Sequence, residues 1–318
     1  FSRRVYEVMA SSTCVISTPS VGVEAFENGV FVVRNKKEAK ETIDKLMENK
    51  LLREKEAHLG YRNVMTNHTY KKRVKFILEK IGMIGEAEKD APLVSLVCVS
   101  NRPSMVDNIV ANFERQEYGN LELLLCMTAS NNDIKKIRKK IINPRIKLVR
   151  VGKSLSLGGC LNRGFSRARG EYIGKFDDDD YYGSHYVSDQ MICFDFSDAD
   201  IVGKTSIFMH NGHDGNVYRR YPENSHRFQR LVLGPTILIK REVFDKVKFK
   251  DLSVGEDTNF IRDAEAQNYK IYASDPFNFL YVRQAKKGFH SWNPDQDELL
   301  KGAELIGKID DWDELVNI

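Results

Sequence analysis

Four adjacent aspartates, Asp177 to Asp180, are the residues whose type and spacing point most directly to chemistry. They follow an apolar stretch, 172–176, whose composition predicts a buried strand. Adjacent carboxylates repel one another, so a folded protein retains such a run where water or cations compensate the charge. A solvated acidic turn is the usual interpretation of a charge run, but the position after a buried strand favours a cation site. Oxygen ligands of this kind select Mg²⁺, Mn²⁺ or Ca²⁺ over zinc.

The elements that would position the aspartates form an alternating series. Apolar runs predict strands over 93–100, 120–127, 145–149 and 171–176, and helices are predicted between them from Pro103, Asn131 and Ser154. Strands separated by helices indicate an α/β fold with an open, mostly parallel sheet flanked by helices. Ligands of such sheets bind at the carboxyl ends of the strands, where the loops after Val99 and Phe176 would converge.

The first eighty or so residues form a separate block. Helical spacing over 4–9 is followed by short strands at 14–17 and 29–33, and Asn35 with Glu38 predicts the start of a helix. Two further helices end near Gly82, and the polar segment 82–92 contains Gly and Pro. We therefore expect a small amino-terminal α/β or helical partial domain over 1–85 and a larger α/β domain over 86–318.

The composition excludes several classes of protein. With 49 basic and 45 acidic residues, the net charge of +4 excludes a nucleic-acid binder held by bulk charge. Apolar runs are far shorter than the roughly 20 residues of a membrane span. The five cysteines lack C-x-x-C spacing, so we expect reduced thiols and a cytoplasmic protein. The chain opens at Phe1 without an initiator Met or a signal-peptide pattern, and we expect it to belong to something longer.

Several short motifs surround the aspartates in a defined order. They are S-N-R-P at 100–103, G-G-C-L-N-R-G at 158–164, A-R-G-E-Y-I at 168–173, the aspartates, G-E-D at 255–257, Y-V-R at 281–283 and H-S-W at 290–292. The set resembles the core of family-2 glycosyltransferases with the GT-A fold, and its ending is similar to one bacterial branch that builds cell-surface polymers. Two positions depart from the family. Residues 127–130 (M-T-A-S) stand where acidic residues recognise the nucleotide base, and Leu161 replaces an arginine.

The resemblance implies a metal-dependent, inverting transfer of a sugar from a nucleotide-diphosphate sugar, with a UDP-sugar as the expected donor. The acceptor would be a hydroxyl of a cell-surface glycan or teichoic-acid-like polymer. Asp177 and Asp179 would hold Mn²⁺ or Mg²⁺ against the diphosphate. Asp257 would act as general base, although an acid at a helix N-terminus also has a purely structural use. His290 would complete the metal shell or serve as a packed residue, and the sequence leaves both open.

Other residues would contact the nucleotide or the acceptor. The residues that the resemblance places on the nucleotide are Ser100, Asn101, Arg102, Asn162 and Asp178. The first three could instead form a turn before proline, and Asn162 could make a hydrogen bond within a helix turn. Gly234 would lie near the acceptor or mark a turn. The polar stretch 210–226 predicts a mobile loop, and its histidines lack a compact spacing for zinc.

The first block resembles the last third of a GT-B glycosyltransferase in its segments 4–10, 15–18 and 68–70. In that family a glutamate like Glu7 contacts the donor ribose, but only part of a nucleotide-binding half is present, so we expect Glu7 to be inert. Two other functions remain open for the chain. Residues 127–128 favour an inactive, transferase-like binding or scaffold module, whereas a nucleotidyltransferase would need a Gly-rich, basic first loop that 100–103 does not supply. Peripheral contact with the inner face of a membrane is compatible with all of these functions.

Overall fold

A computed structural model describes residues 2–24, 26–83, 91–286, 288–290, 292 and 294–318. The chain divides into two compact units, Phe1–Lys89 and Asp90–Ile318. The boundary that the sequence predicts at 82–92 falls largely on 84–90, which lie outside the described residues. No described helix combines the length and the apolar composition that a membrane span requires.

The smaller unit consists of helices around a two-stranded parallel sheet. Its elements are α1 (Arg4–Ala10), β1 (Val15–Ser17), β2 (Val30–Val32), α2 (Lys36–Glu48), α3 (Lys50–Asn67) and α4 (Tyr70–Lys80). Helix α2 begins as the sequence predicts, because the Asn35 side chain accepts a hydrogen bond from the Glu38 backbone N–H and donates one to the Glu38 carboxylate. Gly29 has a φ of +78°, and a Cβ there would lie 2.6 Å from Gly60 Cα, so α3 packs directly against this turn.

The larger unit contains the remaining elements. Its helices are α5 (Val106–Glu114), α6 (Asn131–Lys140), α7 (Leu157–Phe165), α8 (Tyr186–Ser197), α9 (Arg241–Lys246), α10 (Glu256–Ala266), α11 (Gln296–Leu300) and α12 (Trp312–Val316). Its strands are β3 (Val94–Ser100), β4 (Leu121–Met127), β5 (Ile146–Arg150), β6 (Tyr172–Phe176), β7 (Tyr181–Tyr182), β8 (Ile201–Gly203), β9 (Ile207–Asn211), β10 (Asn216–Arg220), β11 (Arg227–Phe228), β12 (Leu238–Lys240), β13 (Ile271–Ala273), β14 (Phe279–Arg283) and β15 (Glu304–Gly307).

The main sheet has the order β11-β13-β8-β12-β6-β3-β4-β5. Strands β6, β3, β4 and β5 pair in parallel, which confirms the α/β sheet that the sequence predicts, while β12 runs antiparallel between β6 and β8. Alternate residues of β4 enter different clusters of buried side chains: Leu123 and Leu125 belong to one and Leu124 to the other. Helices pack on both faces, so β3 and β4 are apolar at nearly every position.

A second, five-stranded sheet has the order β15-β10-β9-β14-β7. Strands β9 and β10 form an antiparallel hairpin with Asn211 opposite Asn216, so the prediction of a mobile loop over 210–226 is wrong for this part. Its turn is ordered by Asp214, which accepts hydrogen bonds from the Asn211 side chain (3.2 Å) and the Asn216 backbone (2.8 Å). The polar turn residues and Gly215 dominate the local composition and conceal two short strands.

A buried carboxylate fastens the segment that leads into β6. Glu122 of β4 accepts hydrogen bonds from Ser95 (2.7 Å), Lys147 (2.6 Å) and the Arg169 guanidinium (2.9 and 3.0 Å). Burial raises the pKa of Glu122, but these donors outweigh it and lower the pKa to about 2. Arg169 of the A-R-G-E-Y-I motif therefore has a structural use, since it fixes the entry to the strand that carries the aspartates.

Candidate active site

The aspartates occupy the short connection between the two sheets, after β6 and before β7. Helix α5 holds the backbone of this connection. Asn108 donates hydrogen bonds to the carbonyls of Asp178 (2.9 Å) and Asp180 (3.2 Å), and Asn112 donates to the carbonyl of Asp180 (2.9 Å). Asn112 also accepts a hydrogen bond from the backbone N–H of Tyr182 at 3.1 Å. The backbone that presents the carboxylates is thus fixed by side chains of a neighbouring helix.

Asp180 is the most enclosed of the four aspartates, with a relative exposure of 1%. Its Oδ1 accepts a hydrogen bond from the Val282 backbone at 2.9 Å, which ties the connection to β14. Its buried Oδ2 has no hydrogen-bond partner in the described part of the chain. Burial, together with the charges of Asp179 and Asp177, raises the pKa of Asp180 well above its ordinary value. Asp180 is therefore a buried residue that joins the connection to β14.

Asp178 is anchored by two of the residues predicted at the nucleotide. The Ser100 hydroxyl donates to its Oδ2, and Arg102 donates to the same oxygen through Nε at 3.0 Å and to Oδ1 through Nη2. The Arg102 guanidinium also lies 3.0 Å from Asp179 Oδ2 and 4.3 Å above the ring of Phe289. Burial lowers the pKa of Arg102, but the carboxylates outweigh it and raise the pKa, so the guanidinium stays charged.

Asp179 is an ionised carboxylate on the same connection. Its Oδ2 lies 3.3 Å from Nδ1 of His290, and the backbone N–H of Gln284 donates to His290 Nε2 at 2.9 Å. Because Nε2 accepts this hydrogen bond, the ring proton lies on Nδ1 and is directed to Asp179. Desolvation raises the pKa of Asp179, but His290 and Arg102 outweigh it and hold the pKa below its ordinary value. The structure brings Asp179 and His290 together, and a role of His290 as a metal ligand stays a prediction.

Asp177 is paired with Lys175, which is not among the site residues predicted from the sequence. Nζ of Lys175 lies 3.1 Å from Asp177 Oδ1, 3.7 Å from Asp257 Oδ2 and 3.8 Å from Glu256 Oε1. Desolvation raises the pKa of Asp177, and Lys175 partly offsets this effect. Through this lysine, Asp257 is brought to the aspartates although 257 − 177 = 80 positions separate the two residues in sequence. The only signal in the sequence is a lysine in the otherwise apolar run Y-I-G-K-F.

Asp257 lies in the first turn of α10, where the helix dipole favours a carboxylate. Its Oδ1 accepts a hydrogen bond from the Thr258 backbone N–H at 2.6 Å. Its Oδ2 is directed at Gly234, where an added Cβ would lie only 1.5 Å from that oxygen. Gly255, before the helix, has a φ of +76°, which a residue with a side chain adopts at a cost. Two glycines thus make room for the carboxylate and for the turn that presents it.

The two asparagines predicted at the nucleotide, Asn101 and Asn162, make no hydrogen bond to the aspartates in the described part of the chain. Asn162 of α7 donates to the Phe249 carbonyl at 2.8 Å and accepts from the Phe249 N–H at 3.0 Å. Its amide is therefore engaged in joining α7 to the chain before α10, and a nucleotide contact stays a prediction. Asn101 is exposed directly after β3, and its contact with a nucleotide also stays a prediction. Ser291 of the predicted H-S-W motif lies outside the described residues.

We predict that Gly234→Ala displaces the Asp257 carboxylate, because the added Cβ and Oδ2 cannot occupy the same space. The free energy of unfolding should fall by about 1–3 kcal/mol, as is typical of overpacking, and a crystal structure should show Asp257 turned away from Lys175. Gly119→Ala is the matched control, since a Cβ there meets nothing within 4 Å. Equal stability of the two variants, with Asp257 in its original place, would contradict this account of Gly234.

Comparisons with known proteins agree with the geometry. Residues 96–252 match the family model described as glycosyl transferase family 2, and residues 1–79 match a family described as glycosyl transferase-like. The first match includes β3 to β6 and the aspartates, while Asp257 and His290 lie beyond it. An Escherichia coli protein, UDP-Glc:alpha-D-GlcNAc-diphosphoundecaprenol beta-1,3-glucosyltransferase WfaP, is 32% identical over 88 residues, which are 27% of this chain and 35% of that protein.

Two crystal structures of S. aureus TarS 1-349 have a similar fold. The one in complex with UDP-GlcNAc has a TM-score of 0.52 at 15% identity, covering 65% of this chain and 63% of that one. The other has a TM-score of 0.50 at 16% identity, covering 60% of each chain. The chain therefore spans about a third of its curated relative and about three-fifths of TarS 1-349. The predicted resemblance is confirmed for the larger unit: its residues 96–252 belong to glycosyltransferase family 2, and the unit has the GT-A fold.

Proposed function

We propose that the larger unit is a metal-dependent, inverting glycosyltransferase that uses a nucleotide-diphosphate sugar. The observation that supports this most is the placement of Asp179 and Asp257. An ionised carboxylate stands on the connection after β6, and a second carboxylate is held beside the same connection by Lys175. Transfer to a hydroxyl requires charge compensation at the leaving diphosphate and a base at the attacking oxygen. The two carboxylates are suited to these two tasks.

The donor would bind at the carboxyl ends of β3 and β6, where open α/β sheets bind ligands. Ser100, Arg102 and Asp178 already form one hydrogen-bonded group there. Arg102 could exchange a carboxylate partner for a phosphate, because a guanidinium recognises both in the same forked geometry. TarS has been crystallised with UDP-GlcNAc, and the name of WfaP specifies UDP-Glc. We therefore propose a UDP-sugar as the donor, although no acidic side chain stands at 127–130 to read the base.

Asp177 and Asp179 offer carboxylate oxygens that suit Mn²⁺ or Mg²⁺. A divalent cation held there would supply positive charge at the leaving diphosphate. Asp179 fits this role better, because its pKa is held low, whereas Asp177 is already paired with Lys175. His290 would join the metal shell only if its Nδ1 lost the proton that it directs to Asp179, or if its ring left the Gln284 N–H. Its role as a ligand therefore depends on a rearrangement of the ring.

Asp257 would accept the proton of the acceptor hydroxyl as that oxygen attacks the anomeric carbon. Its Oδ1 is bound to Thr258, so Oδ2, which lies beside Gly234 and 3.7 Å from the Lys175 ammonium, is the oxygen that would act as base. A single displacement inverts the configuration at the anomeric carbon. The name of WfaP describes a β-1,3 transfer from UDP-Glc to a lipid diphosphate-linked sugar. We propose a glycan or polymer acceptor of the cell surface for this chain as well.

An inactive binding or scaffold module is the alternative. It is favoured by Arg102, which already neutralises Asp178 and Asp179 within the protein. In that case the ion pairs would be permanent structural contacts, and neither metal ions nor nucleotides would displace them. The two functions differ in whether a UDP complex forms only with a divalent cation and whether sugar transfer then follows.

We predict that Asp179→Ala abolishes most metal-dependent binding of UDP, because a site with few protein ligands cannot lose its ionised carboxylate. Calorimetry of UDP with and without Mn²⁺ measures this. Asp245→Ala, an exposed aspartate of α9, is the control and should bind as the parent does. If the parent shows no metal-dependent binding, or if Asp179→Ala keeps it, the proposed metal site does not exist.

We predict that Asp257→Asn lowers kcat by roughly 10²–10⁴-fold and leaves donor affinity nearly unchanged, because the amide retains the shape of the side chain but cannot accept the proton. A screen of nucleotide sugars and acceptors first identifies an active pair. Asp263→Asn on the same helix is the control, since this residue pairs with the half-exposed Lys250. Near-parental transfer by Asp257→Asn, or a product that retains the donor configuration, would remove Asp257 from this role.

We also propose a cytoplasmic protein that contacts the inner face of a membrane through α4 of the smaller unit. Tyr70, Val74, Ile77 and Ile81 recur at helical spacing and are 52–77% exposed. The same helix has five basic residues and one acidic residue, Glu79. An exposed apolar stripe flanked by cations suits the surface of an anionic bilayer, whereas a second copy of this helix would be repelled by its charge.

We predict that the protein sediments with vesicles containing phosphatidylserine, does so less at high salt, and does not sediment with pure phosphatidylcholine. Ile77→Glu should weaken this binding at least several-fold, because it places a negative charge in the apolar stripe. Ile142→Glu is the control, since Ile142 is 89% exposed in the other unit. Absence of anionic-vesicle binding, or equal binding by both variants, would refute α4 as a membrane contact.

A further inference from the structure

Lys175 is a charged residue at a buried position of β6. Its relative exposure is 4%, and its backbone N–H pairs with the Ile237 carbonyl of the neighbouring segment at 2.8 Å. A lysine is rarely buried in this way unless its charge is compensated, because desolvation of an ammonium group costs several kcal/mol. The match to family 2 covers this position, but the chemistry proposed above gives Lys175 no direct role.

The carboxylates around Lys175 come from two different elements. Asp177 follows β6, whereas Glu256 and Asp257 begin α10. All three lie within 4 Å of Nζ, measured to Oδ1, Oε1 and Oδ2 respectively. Burial lowers the pKa of Lys175, but these carboxylates outweigh it and raise the pKa, so the ammonium is charged. One cation thus stands between the connection that carries the aspartates and the helix that carries Asp257.

Few other contacts orient the Asp257 side chain. Oδ1 is held by the backbone N–H and, at 3.4 Å, the hydroxyl of the adjacent Thr258, while Oδ2 lies against Gly234, which offers no side chain. The ammonium of Lys175 is on the Oδ2 side, at 3.7 Å. Since β6 is a central strand of the sheet, the backbone of Lys175 is held in place by its neighbours. Its ammonium group can therefore position both Asp177 and Asp257.

We propose that Lys175 is a positioning residue that orients the Asp257 carboxylate relative to the aspartates. It holds Oδ2 of Asp257 and the carboxylate of Asp177 around one ammonium group, so that the base and the diphosphate site keep a fixed separation. Lys175 touches neither substrate in this role. The inference rests on the proposed function of Asp257 as base, and it concerns the geometry of that base rather than the identity of the donor.

The kinetic test is a double-mutant cycle in the full chain. Lys175→Met should lower kcat about 10- to 100-fold, because the orientation of the base is lost. It should change the donor KM less than about threefold, because Asp179, the better-suited metal residue, is paired with Arg102. In an Asp257→Asn background, Lys175→Met should cause no further loss, because the residue through which it acts is already disabled. Lys204→Met is the control, since Lys204 is also fully buried and paired, with Asp275 at 3.0 Å. Its effect should add to that of Asp257→Asn.

An equal loss of kcat in both backgrounds would overturn the proposal. A large increase of donor KM would do so as well, because it would indicate that Lys175 binds the diphosphate directly.

An inactive parent would refute the proposed function instead. The pairing of Lys175 with Asp257 is then tested by the same double-mutant cycle, with the midpoint of denaturant unfolding as the measured quantity. The effects of Lys175→Met and Asp257→Asn on the unfolding midpoint should be non-additive, and strict additivity would refute the pairing. If Lys175→Met does not fold, Lys175→Gln, which keeps a polar group among the three carboxylates, replaces it in both backgrounds, and the same comparison applies.

Discussion

Compensation of negative charge at the end of β6 is the constraint on which the site depends. Six carboxylates converge there, from residues 177–180, 256 and 257, and each is accommodated differently. Arg102 neutralises Asp178 and contacts Asp179, Lys175 pairs with both Asp177 and the start of α10, and burial raises the pKa of Asp180. The four aspartates look equivalent in the sequence, but their environments give them different partners and different degrees of burial.

The sheet could be predicted from the sequence where its strands are covered on both faces. Strands β3 and β4 are apolar at almost every position, so their existence and limits follow from composition alone. The second sheet could not be predicted, because its strands are short and depend on distant partners: β9 pairs in parallel with β14, about seventy residues later. Local composition does not predict a pairing between distant strands, and the polar turn after Asn211 favours the prediction of a loop over 210–226.

The candidate site was predictable to the extent that motifs mark it. Ser100, Arg102, Asp178, Asp179 and His290 do lie together. What the sequence could not supply is the set of partners. Asn162 stands in a motif, yet its amide is occupied by the backbone of Phe249, whereas Lys175 stands in no motif and contacts three carboxylates. Partners of this kind are set by tertiary packing, which a single sequence does not display.

The two halves of the site are held with unequal firmness. On the side of the aspartates, side chains of α5 fix the backbone, and Arg102 fixes Asp178 by donating to both of its carboxylate oxygens. On the side of Asp257, the backbone N–H and the hydroxyl of Thr258, at 2.6 and 3.4 Å, and a lysine at 3.7 Å orient the carboxylate. Preorganisation is most useful where charge develops, which for a diphosphate leaving group is the first side. The base must instead adjust to the acceptor hydroxyl, and an ion pair allows that adjustment while keeping Asp257 within reach of the aspartates.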